Sequence, residues 1–174
     1  MPWGIVHRAA PCRNVPVTFT LDCMAKTSVA FRPVRAGDGD DLAALRVEAM
    51  RPNLERVGRF DPDRARSRFL DNFSPAHTYE ILADRVRVGF FVLRPKDDRL
   101  ALEHLYVLPS HQNLGIGAAV LRKVFAEADA RGLEIRVGAL KESDSNRFYI
   151  RHGFVMESQA EFDNYYVRRP ADAI

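Results

Sequence analysis

The sequence predicts a single α/β domain built as a mixed sheet with helices on its faces. Its 174 residues are enough for one sizeable hydrophobic core. Hydrophobic residues make up 47% of the chain and charged residues 28%, which is typical of a globular protein. Strand-like and helix-like segments follow one another in the order β-α-α-β-β-β-α-β-α-β-β, and this order favours a sheet covered by helices.

The first 28 residues differ from the rest of the chain. Prolines interrupt every possible element there, and both cysteines lie in it: Pro2, Pro11, Pro16, Cys12 and Cys23. We therefore predict an N-terminal extension at 1–28, outside the core, and a domain at 29–170, with 1–23 dispensable for stability. The alternative is a flap over the domain that uses the apolar residues Trp3, Ile5 and Val6.

A first strand is predicted at Val29–Arg35, followed by two helices. The acidic turn Asp38–Asp41 is well placed to cap the first helix, and Pro52 is expected to end or kink it. The second helix begins at Asp61-Pro62, with proline at the first helical position. Apolar residues recur at helical spacing in both helices: Leu42, Leu45, Ala49, Ala65, Phe69, Leu70 and Phe73.

Three strands come next. Thr78–Ala83 and Arg87–Leu93 are separated by a tight turn, which predicts an antiparallel hairpin. A turn at Pro95–Asp98 leads to the central strand, Leu100–Val107. Pro109 stops that strand, because proline has no N–H for the sheet ladder.

A loop with two glycines, Gln112–Gly117, joins the central strand to an amphipathic helix that starts at about Ile116 and stops at Gly132. The first-turn amides of a helix have no internal partner, the helix dipole favours negative charge, and glycine lets a ligand approach the backbone closely. The arrangement therefore predicts an anion site. It is not a P-loop, since no Gly-Lys-Ser/Thr follows, and it lacks the third glycine of the dinucleotide fingerprint.

The rest of the chain predicts a strand, a short helix and a hairpin. Leu133–Ala139 alternates as a strand should, and 144–151 reads as a helix ended by Gly153. The closing hairpin is predicted from Phe154–Glu161 and Tyr165–Arg168.

Two segments carry a family resemblance. Gln112, Gly115 and Gly117 fill the pattern Gln/Arg-x-x-Gly-x-Gly/Ala after a strand that ends in Leu-Tyr-Val-x-Pro, and Asn146–Phe154 fits Asn-x-x-Tyr-x-x-x-Gly-Phe. Over roughly Val29–Arg168 the chain resembles the GCN5-related N-acetyltransferase (GNAT) superfamily. The resemblance implies a mixed, mostly antiparallel central sheet, flanked by helices, with a V-shaped splay between strands 4 and 5. It also implies acetyl-CoA as a co-substrate lying in the V, and no metal.

The resemblance further implies which residues contact acetyl-CoA. Backbone N–H groups of the loop would bind the pyrophosphate, and backbone groups of the splayed strand would pair with the pantetheine amides. These residues are Gln112, Asn113, Leu114, Gly115, Ile116, Gly117 and Ala118 in the loop, and Leu105, Tyr106 and Val107 in the strand. Asn146 would add a hydrogen bond. The alternatives are a plain strand-to-helix turn for the loop, and for Asn146 a role only in capping the short helix.

Two residues are proposed for the proton transfers. Tyr149 is the general acid that the resemblance implies, donating to the departing thiolate, and the alternative is a buried core tyrosine. Glu103 is the favoured base, because a carboxylate, or a water that it holds, can take a proton from an ammonium group. Strand alternation places Glu103 on the same face as Leu105 and Val107, and His104 on the other. His104 and an ordered water alone are the alternative bases.

We therefore predict an acyl-CoA-dependent N-acyltransferase that moves an acetyl group from acetyl-CoA to a primary amine of a small molecule or peptide by direct attack. The alternative is a non-catalytic CoA-binding or sensing module of the same fold. Candidate side chains for holding a cationic amine are Glu48, Glu161, Asp163, Tyr165 and Tyr166.

Bulk properties bear on the other classes of partner. A net charge of +3, from 26 basic and 23 acidic residues, is too balanced to predict nucleic acid as a partner. No apolar run approaches the ~20 residues of a membrane helix, so no membrane association is expected. The cysteine usage favours a cytoplasmic, reducing compartment, and the resemblance leaves a homodimer as an option.

Overall fold

The computed structural model describes residues 27–56, 58 and 60–171. Within these residues the strands are β1 (Val29–Pro33), β2 (Thr78–Ala83), β3 (Val86–Lys96), β4 (Arg99–Val107), β5 (Glu134–Leu140), β6 (Val155–Gln159) and β7 (Asp163–Arg168). They form one seven-stranded sheet in the order β1-β2-β3-β4-β5-β7-β6. Neighbours are antiparallel except β4 and β5, which are parallel. The predicted mixed, mostly antiparallel sheet is confirmed.

The α-helices of the described residues are α1 (Gly39–Arg56), α2 (Pro62–Leu70), α3 (Ile116–Arg131) and α4 (Ser145–Arg151). The predicted cap of α2 is present: the Asp61 carboxylate accepts a hydrogen bond from the Arg64 backbone N–H at 2.9 Å. Pro52 does not end α1, which continues to Arg56. The helix continues because a proline near the last turn removes only one backbone hydrogen bond, and a kink at Pro52 stays a prediction.

The hairpin between β2 and β3 turns at two residues with positive φ, Asp84 at 48° and Arg85 at 72°. Backbone twist of this kind suits a tight hairpin turn. Pro95 lies inside β3 opposite Leu100, so the turn before β4 is shorter than predicted. The strand tolerates proline there because the β3–β4 pairing is already close to its end, at Lys96.

The sheet opens between β4 and β5. These two strands pair over only four residue pairs, the last of which is Leu102 with Val137. Beyond that point β4 stays paired with β3 as far as Val107, and β5 stays paired with β7 as far as Leu140. The two strands therefore part in the middle of the sheet and leave a V, which confirms the predicted splay.

Apolar layers cover both faces of the sheet. On the side of α3 and α4 the core includes Phe91, Leu93, Leu100, Leu102, Ile116, Val120, Leu121, Val124 and Tyr149. On the side of α1 and α2 it includes Leu42, Ala43, Leu45, Phe69, Phe90 and Val92. The V therefore runs between two packed layers, which fix the strands on either side of it.

Residues 1–26, which include Cys12 and Cys23, lie outside the described residues. The extension at 1–28 therefore stays a prediction. The described chain is tied to the domain from Ser28 onwards, since its backbone N–H donates to the Asp84 carboxylate at 2.9 Å. Within the described part of the chain, none of the helices is both long and apolar enough to cross a membrane.

Candidate active site

A β-bulge interrupts β4 at Glu103. Val92 of β3 lies opposite His104, but the next residue of β3, Leu93, lies opposite Leu102. Glu103 is left without a residue opposite it, and a bulge of this kind changes the direction of the side chains that follow.

The bulge changes which residues share a face of β4. Leu105 and Val107 pack against the apolar layer of α3 and α4, whereas the Glu103 carboxylate pairs with Arg94 at 3.0 Å and Lys96 at 3.8 Å. The expectation that Glu103 shares a face with Leu105 and Val107 is therefore wrong, because it assumed an uninterrupted period of two residues.

A cavity of about 1510 Å³ extends from the V to the wall formed by α1 and α2. Several of the predicted site residues line this one cavity: Glu103, Leu105, Tyr106, Val107, Gln112 and Tyr149. The fold thus brings the proposed acid and the proposed base to the same space, beside the part of β4 that has no β5 partner.

Tyr149 reaches the cavity from α4. Its ring packs against Phe148, Phe154 and Tyr166, with centroid distances of 5.4, 5.3 and 6.2 Å. Burial, and secondly the neighbouring Tyr106, raises the pKa of Tyr149 above its usual value. The hydroxyl therefore stays protonated at neutral pH, and none of the described residues hydrogen-bonds to it.

The glycine loop places an αL residue, Gly115 with φ of 77°, directly before α3. Within the loop only Gln112 lines the cavity, and its Nε2 donates to the Val107 backbone carbonyl at 2.9 Å. Gln112 thus fastens the loop to the end of β4. Gly117 has a packing reason to be glycine, since a Cβ there would lie 3.0 Å from Cζ of Phe148.

Asn146 has all its polar atoms engaged. Its Nδ2 donates to the carbonyls of Leu140 at 2.9 Å and Ser143 at 2.8 Å. Its Oδ1 accepts from Asn164 and from the Tyr166 hydroxyl, each at 2.8 Å. These bonds tie α4 to β5 and β7, and the residue lines a separate pocket of about 680 Å³. A cofactor contact by Asn146 stays a prediction, and it requires one of these bonds to be exchanged.

His104 lies among aromatic rings on the side of α1 and α2. Its ring centroid is 5.7 Å from that of Phe69 and 5.6 Å from that of Tyr106. Burial, followed by the charge of Arg46, lowers the pKa of His104 to about 4. The imidazole is neutral at pH 7, and its Nδ1 is buried without a hydrogen-bond partner among the described residues.

Arg46 of α1 is a cavity residue that the sequence reasoning missed. Its side chain is 8% exposed and lies on the apolar stripe of α1, between Leu42 and Ala49. An arginine at helical spacing between two core positions was the available signal, because an arginine is almost never fully buried unless paired.

Of the residues considered for holding a cationic amine, some line the cavity and others do not. Asp163 and Tyr165 line the cavity, but Glu48 and Glu161 do not. Tyr166 is 1% exposed and is engaged with Asn146. Among the described residues, no three His, Cys, Asp or Glu side chains are grouped as a metal ion would require.

Sequence similarity to other proteins places the chain in a family. An uncharacterized N-acetyltransferase of Mycobacterium tuberculosis is 32% identical over 140 residues, covering 72% of this chain and 88% of that protein. The chain belongs to the GCN5-related N-acetyltransferases. An uncharacterized N-acetyltransferase of Mycobacterium bovis matches at the same identity and coverage. The sequence model of the acetyltransferase (GNAT) domain matches residues 74–156.

Solved structures show the same fold. The PaiA N-acetyltransferase of Thermoplasma acidophilum, solved in complex with coenzyme A, superposes with a TM-score of 0.69 at 18% identity, covering 82% of this chain and 99% of that one. A GCN5-related N-acetyltransferase of Rhodopseudomonas palustris gives a TM-score of 0.67 at 21% identity, with 84% and 98% covered. The GNAT fold predicted from two short segments is confirmed.

Proposed function

We propose that this GNAT protein transfers an acetyl group from acetyl-CoA to a primary amine by direct attack, without an acyl-enzyme. The observation that carries the proposal is the V. A strand edge without a partner, the proposed acid Tyr149 and the carboxylate of Glu103 all face one cavity.

The chain offers backbone groups for an acyl donor at two places. Beyond Leu102, none of the described residues is hydrogen-bonded to β4 on the β5 side, so its backbone can pair with the amides of a pantetheine arm. At the start of α3 the amides of Ile116, Gly117 and Ala118 have no partner within the helix. They suit a pyrophosphate, which the helix dipole also favours.

Tyr149 supports the acid step. Its hydroxyl is protonated at neutral pH and is free of bonds to the described residues, so it can donate to a thiolate as the C–S bond breaks. The layer of Phe148, Phe154 and Tyr166 around the ring holds its orientation. An acid fixed in this way donates without first reorganising.

Glu103 supports removal of the amine proton. Its side chain is 33% exposed and lines the cavity, so an ammonium group can reach the carboxylate directly or through a water. The ion pairs with Arg94 and Lys96 fix the direction of the carboxylate. His104, with its lowered pKa, is a weaker candidate for the base.

The glycine loop gives the test of donor binding. Gly115→Asp places a carboxylate where the pyrophosphate is proposed to bind, and calorimetry should show acetyl-CoA affinity lower by at least about tenfold, because like charges repel in a partly desolvated loop. A side chain at φ of 77° is strained, but asparagine and aspartate adopt positive φ more readily than most residues, so the fold should persist with some loss of stability. Unchanged affinity in the folded variant would remove the loop from the proposal.

Two variants separate charge from backbone strain. Gly115→Asn has nearly the same shape without the charge and should bind acetyl-CoA better than Gly115→Asp. Gly132→Asp introduces the same residue at the other end of α3, where φ is 63° and a Cβ also meets nothing within 4 Å. It should keep the wild-type affinity.

Turnover distinguishes an enzyme from a binding module. Free thiol release from acetyl-CoA is measured over a panel of primary amines, and the acylated amine is confirmed by mass. Tight acetyl-CoA binding with no amine-dependent thiol release would favour the non-catalytic alternative.

A further inference from the structure

Arg46 is a buried guanidinium that has no carboxylate partner in the part of the chain that the structure describes. It is 8% exposed and lines the main cavity. One Nη atom donates to the backbone carbonyl of Ala65, and the guanidinium carbon lies 5.7 Å from the centre of the Tyr106 ring. Its Nε has no hydrogen-bond partner among the described residues, and none of their carboxylates pairs with it.

An unpaired buried charge is costly, and arginine cannot relieve the cost by losing its proton. One backbone carbonyl and an aromatic face offset only part of the desolvation. A site that keeps such a charge beside a cavity is suited to an anion that arrives with a ligand, because a planar guanidinium matches the geometry of carboxylate and phosphate.

His104 provides a second unsatisfied polar group beside Arg46. Both side chains flank the ring of Tyr106, His104 at 5.6 Å and Arg46 at 5.7 Å. The buried Nδ1 of His104 also lacks a partner among the described residues. Two unsatisfied nitrogens next to one ring of the cavity wall mark a polar subsite within an otherwise aromatic layer.

The wall on this side of the cavity carries an excess of positive charge. Arg64 and Arg68 of α2 line the cavity with Arg46, and none of the three forms an ion pair with the described residues. The nearby carboxylates are engaged elsewhere: Asp61 caps α2, and Glu103 pairs with Arg94. An anionic group entering from this side meets no free carboxylate on α1 or α2 along the cavity lining.

The geometry points to an acceptor that carries an oxyanion, a carboxylate or a phosphate, in addition to its primary amine, with Arg46 binding the oxyanion. This inference rests on the proposed N-acetyltransferase activity. The acyl donor would occupy the V and the loop before α3, so the α1–α2 wall is the side left for the acceptor. The oxyanion would lie beside Tyr106 while the amine faces Glu103, on the same strand.

Pairs of amines that differ by one anionic group test the inference on the wild-type protein. We choose tyrosine with tyramine, lysine with cadaverine, and O-phosphoethanolamine with ethanolamine, and measure kcat/KM for each with acetyl-CoA. In at least one pair the anionic member should be favoured by roughly 10–100-fold, the range expected for hydrogen bonds to a charged group. The first two pairs report on carboxylate and the third on phosphate. Equal rates, or a preference for the uncharged member in every pair, would overturn the inference.

Substitutions assign the preference to Arg46. Arg46→Gln should remove the preference within a pair, and Arg46→Lys should restore part of it by keeping the charge without the planar fork. Arg66→Gln makes the same change of charge on α2, at a residue that does not line the cavity, and should keep the preference. A preference that survives Arg46→Gln in a folded protein would overturn the assignment.

A binding measurement separates this inference from the proposed function. The coenzyme A complex is titrated with succinate and with inorganic phosphate, neither of which can be acylated, and binding is followed by calorimetry. Binding that Arg46→Gln weakens and Arg66→Gln does not weaken supports the anion site even if no amine is turned over. If the coenzyme A complex forms but binds neither anion, and no anionic amine is preferred, the inference fails while the donor site stands. If coenzyme A itself does not bind, the proposed function fails.

Discussion

Glu80 and Arg46 are both buried charges on the side of the sheet that α1 covers, but their surroundings differ. Glu80 is 2% exposed, and its carboxylate accepts hydrogen bonds from Arg32 and, at 2.6 Å, from Arg87. Arg87 pairs in turn with Asp38 at 2.8 Å. Arg46 is 8% exposed and forms no ion pair with the described residues.

The difference separates the part of the molecule that holds the fold from the part that faces a ligand. The Glu80 cluster ties β1, β2 and β3 to the turn before α1, and its charges are matched within the chain. The same division applies to two adjacent tyrosines. The Tyr166 hydroxyl donates to Asn146 at 2.8 Å, whereas the Tyr149 hydroxyl has no partner among the described residues. Groups satisfied by the fold should affect stability when changed, and unsatisfied groups should affect activity.

Among the groups that the fold leaves without a partner, Tyr149 should give the largest loss of activity when it is changed, in the variant Tyr149→Phe. It removes a hydroxyl that has no partner among residues 27–56, 58 and 60–171 and keeps the ring that packs in the core, so we expect an unchanged melting temperature. Loss of a general acid should lower kcat by ~10²–10⁴-fold, with little change in acetyl-CoA affinity. The rates are measured by thiol release, with a single-turnover experiment to show that chemistry is rate-limiting.

Tyr166→Phe is the matched control. It also removes one hydroxyl from a buried tyrosine, but that hydroxyl is bonded to Asn146. We expect a loss of about 1 kcal/mol in the free energy of unfolding and a nearly normal kcat. Wild-type turnover by Tyr149→Phe, with chemistry limiting, would show that the acid is another group.

Among the groups whose charges are matched within the fold, Glu80 should give the largest loss of stability when it is changed, in the variant Glu80→Gln. Breaking a buried ion pair costs about 3–5 kcal/mol, and we expect the lower end because the Arg32 and Arg87 side chains are 65% and 26% exposed and regain water. Urea unfolding should show this loss, while acetyl-CoA affinity and kcat stay at the wild-type values.

The effect of Glu80 should depend on pH in a defined direction. Burial acts to raise the pKa of Glu80, but the hydrogen bonds from Arg32 and Arg87 outweigh it, and the pKa lies below its ordinary value of 4.5. A carboxyl with a depressed folded pKa stabilises the fold above the unfolded pKa and loses that contribution as pH falls through the folded pKa. The difference between wild type and Glu80→Gln should therefore be constant near neutral pH and shrink below pH 4.5.

Asp40→Asn is the control for the Glu80 measurement. Asp40 pairs with Arg66 at 2.5 Å, but the two side chains are 73% and 42% exposed. We expect a change of about 0–1 kcal/mol, as for other surface ion pairs. A Glu80→Gln protein that unfolds at the wild-type urea concentration would contradict a structural role for the cluster.

Features coded locally could be predicted from the sequence. The strand, loop and helix from β4 to α3 follow from Pro109, the two glycines and the apolar stripe of the helix, and their bounds match to within a few residues. The cap at Asp61 is equally local. The splay of β4 from β5 was predicted only from the resemblance to the GNAT family, because the sequence of neither strand indicates that the two strands separate.

The features that the sequence did not predict depend on register and on distant partners. The bulge at Glu103 arises from the pairing of β4 with β3, which the period of β4 alone does not show. The bonds of Asn146 reach Asn164 and Tyr166, which are far along the chain. Whether Arg46 has an ion-pair partner depends on all the residues that pack around it in the fold. The sequence indicates only that an arginine lies in the apolar stripe of α1.

Glu103→Gln is expected to give the smaller of the two losses of activity, since free amine and ordered water can carry part of the proton removal. We expect kcat/KM near neutral pH to fall by about 10²-fold, the lower end for a general base. The rise of kcat/KM from acidic to neutral pH should flatten, and high pH should partly restore the rate by deprotonating the amine in solution.

Arg94→Gln is the control, because it breaks the same ion pair from the other side and leaves the carboxylate in place. If the ion pair matters only for the fold, both variants should lose the same small stability, about 0–1 kcal/mol, and share one pH profile. A pH profile altered in Glu103→Gln alone supports the base, and a Glu103→Gln protein with the full wild-type profile would leave His104 or an ordered water to take the proton.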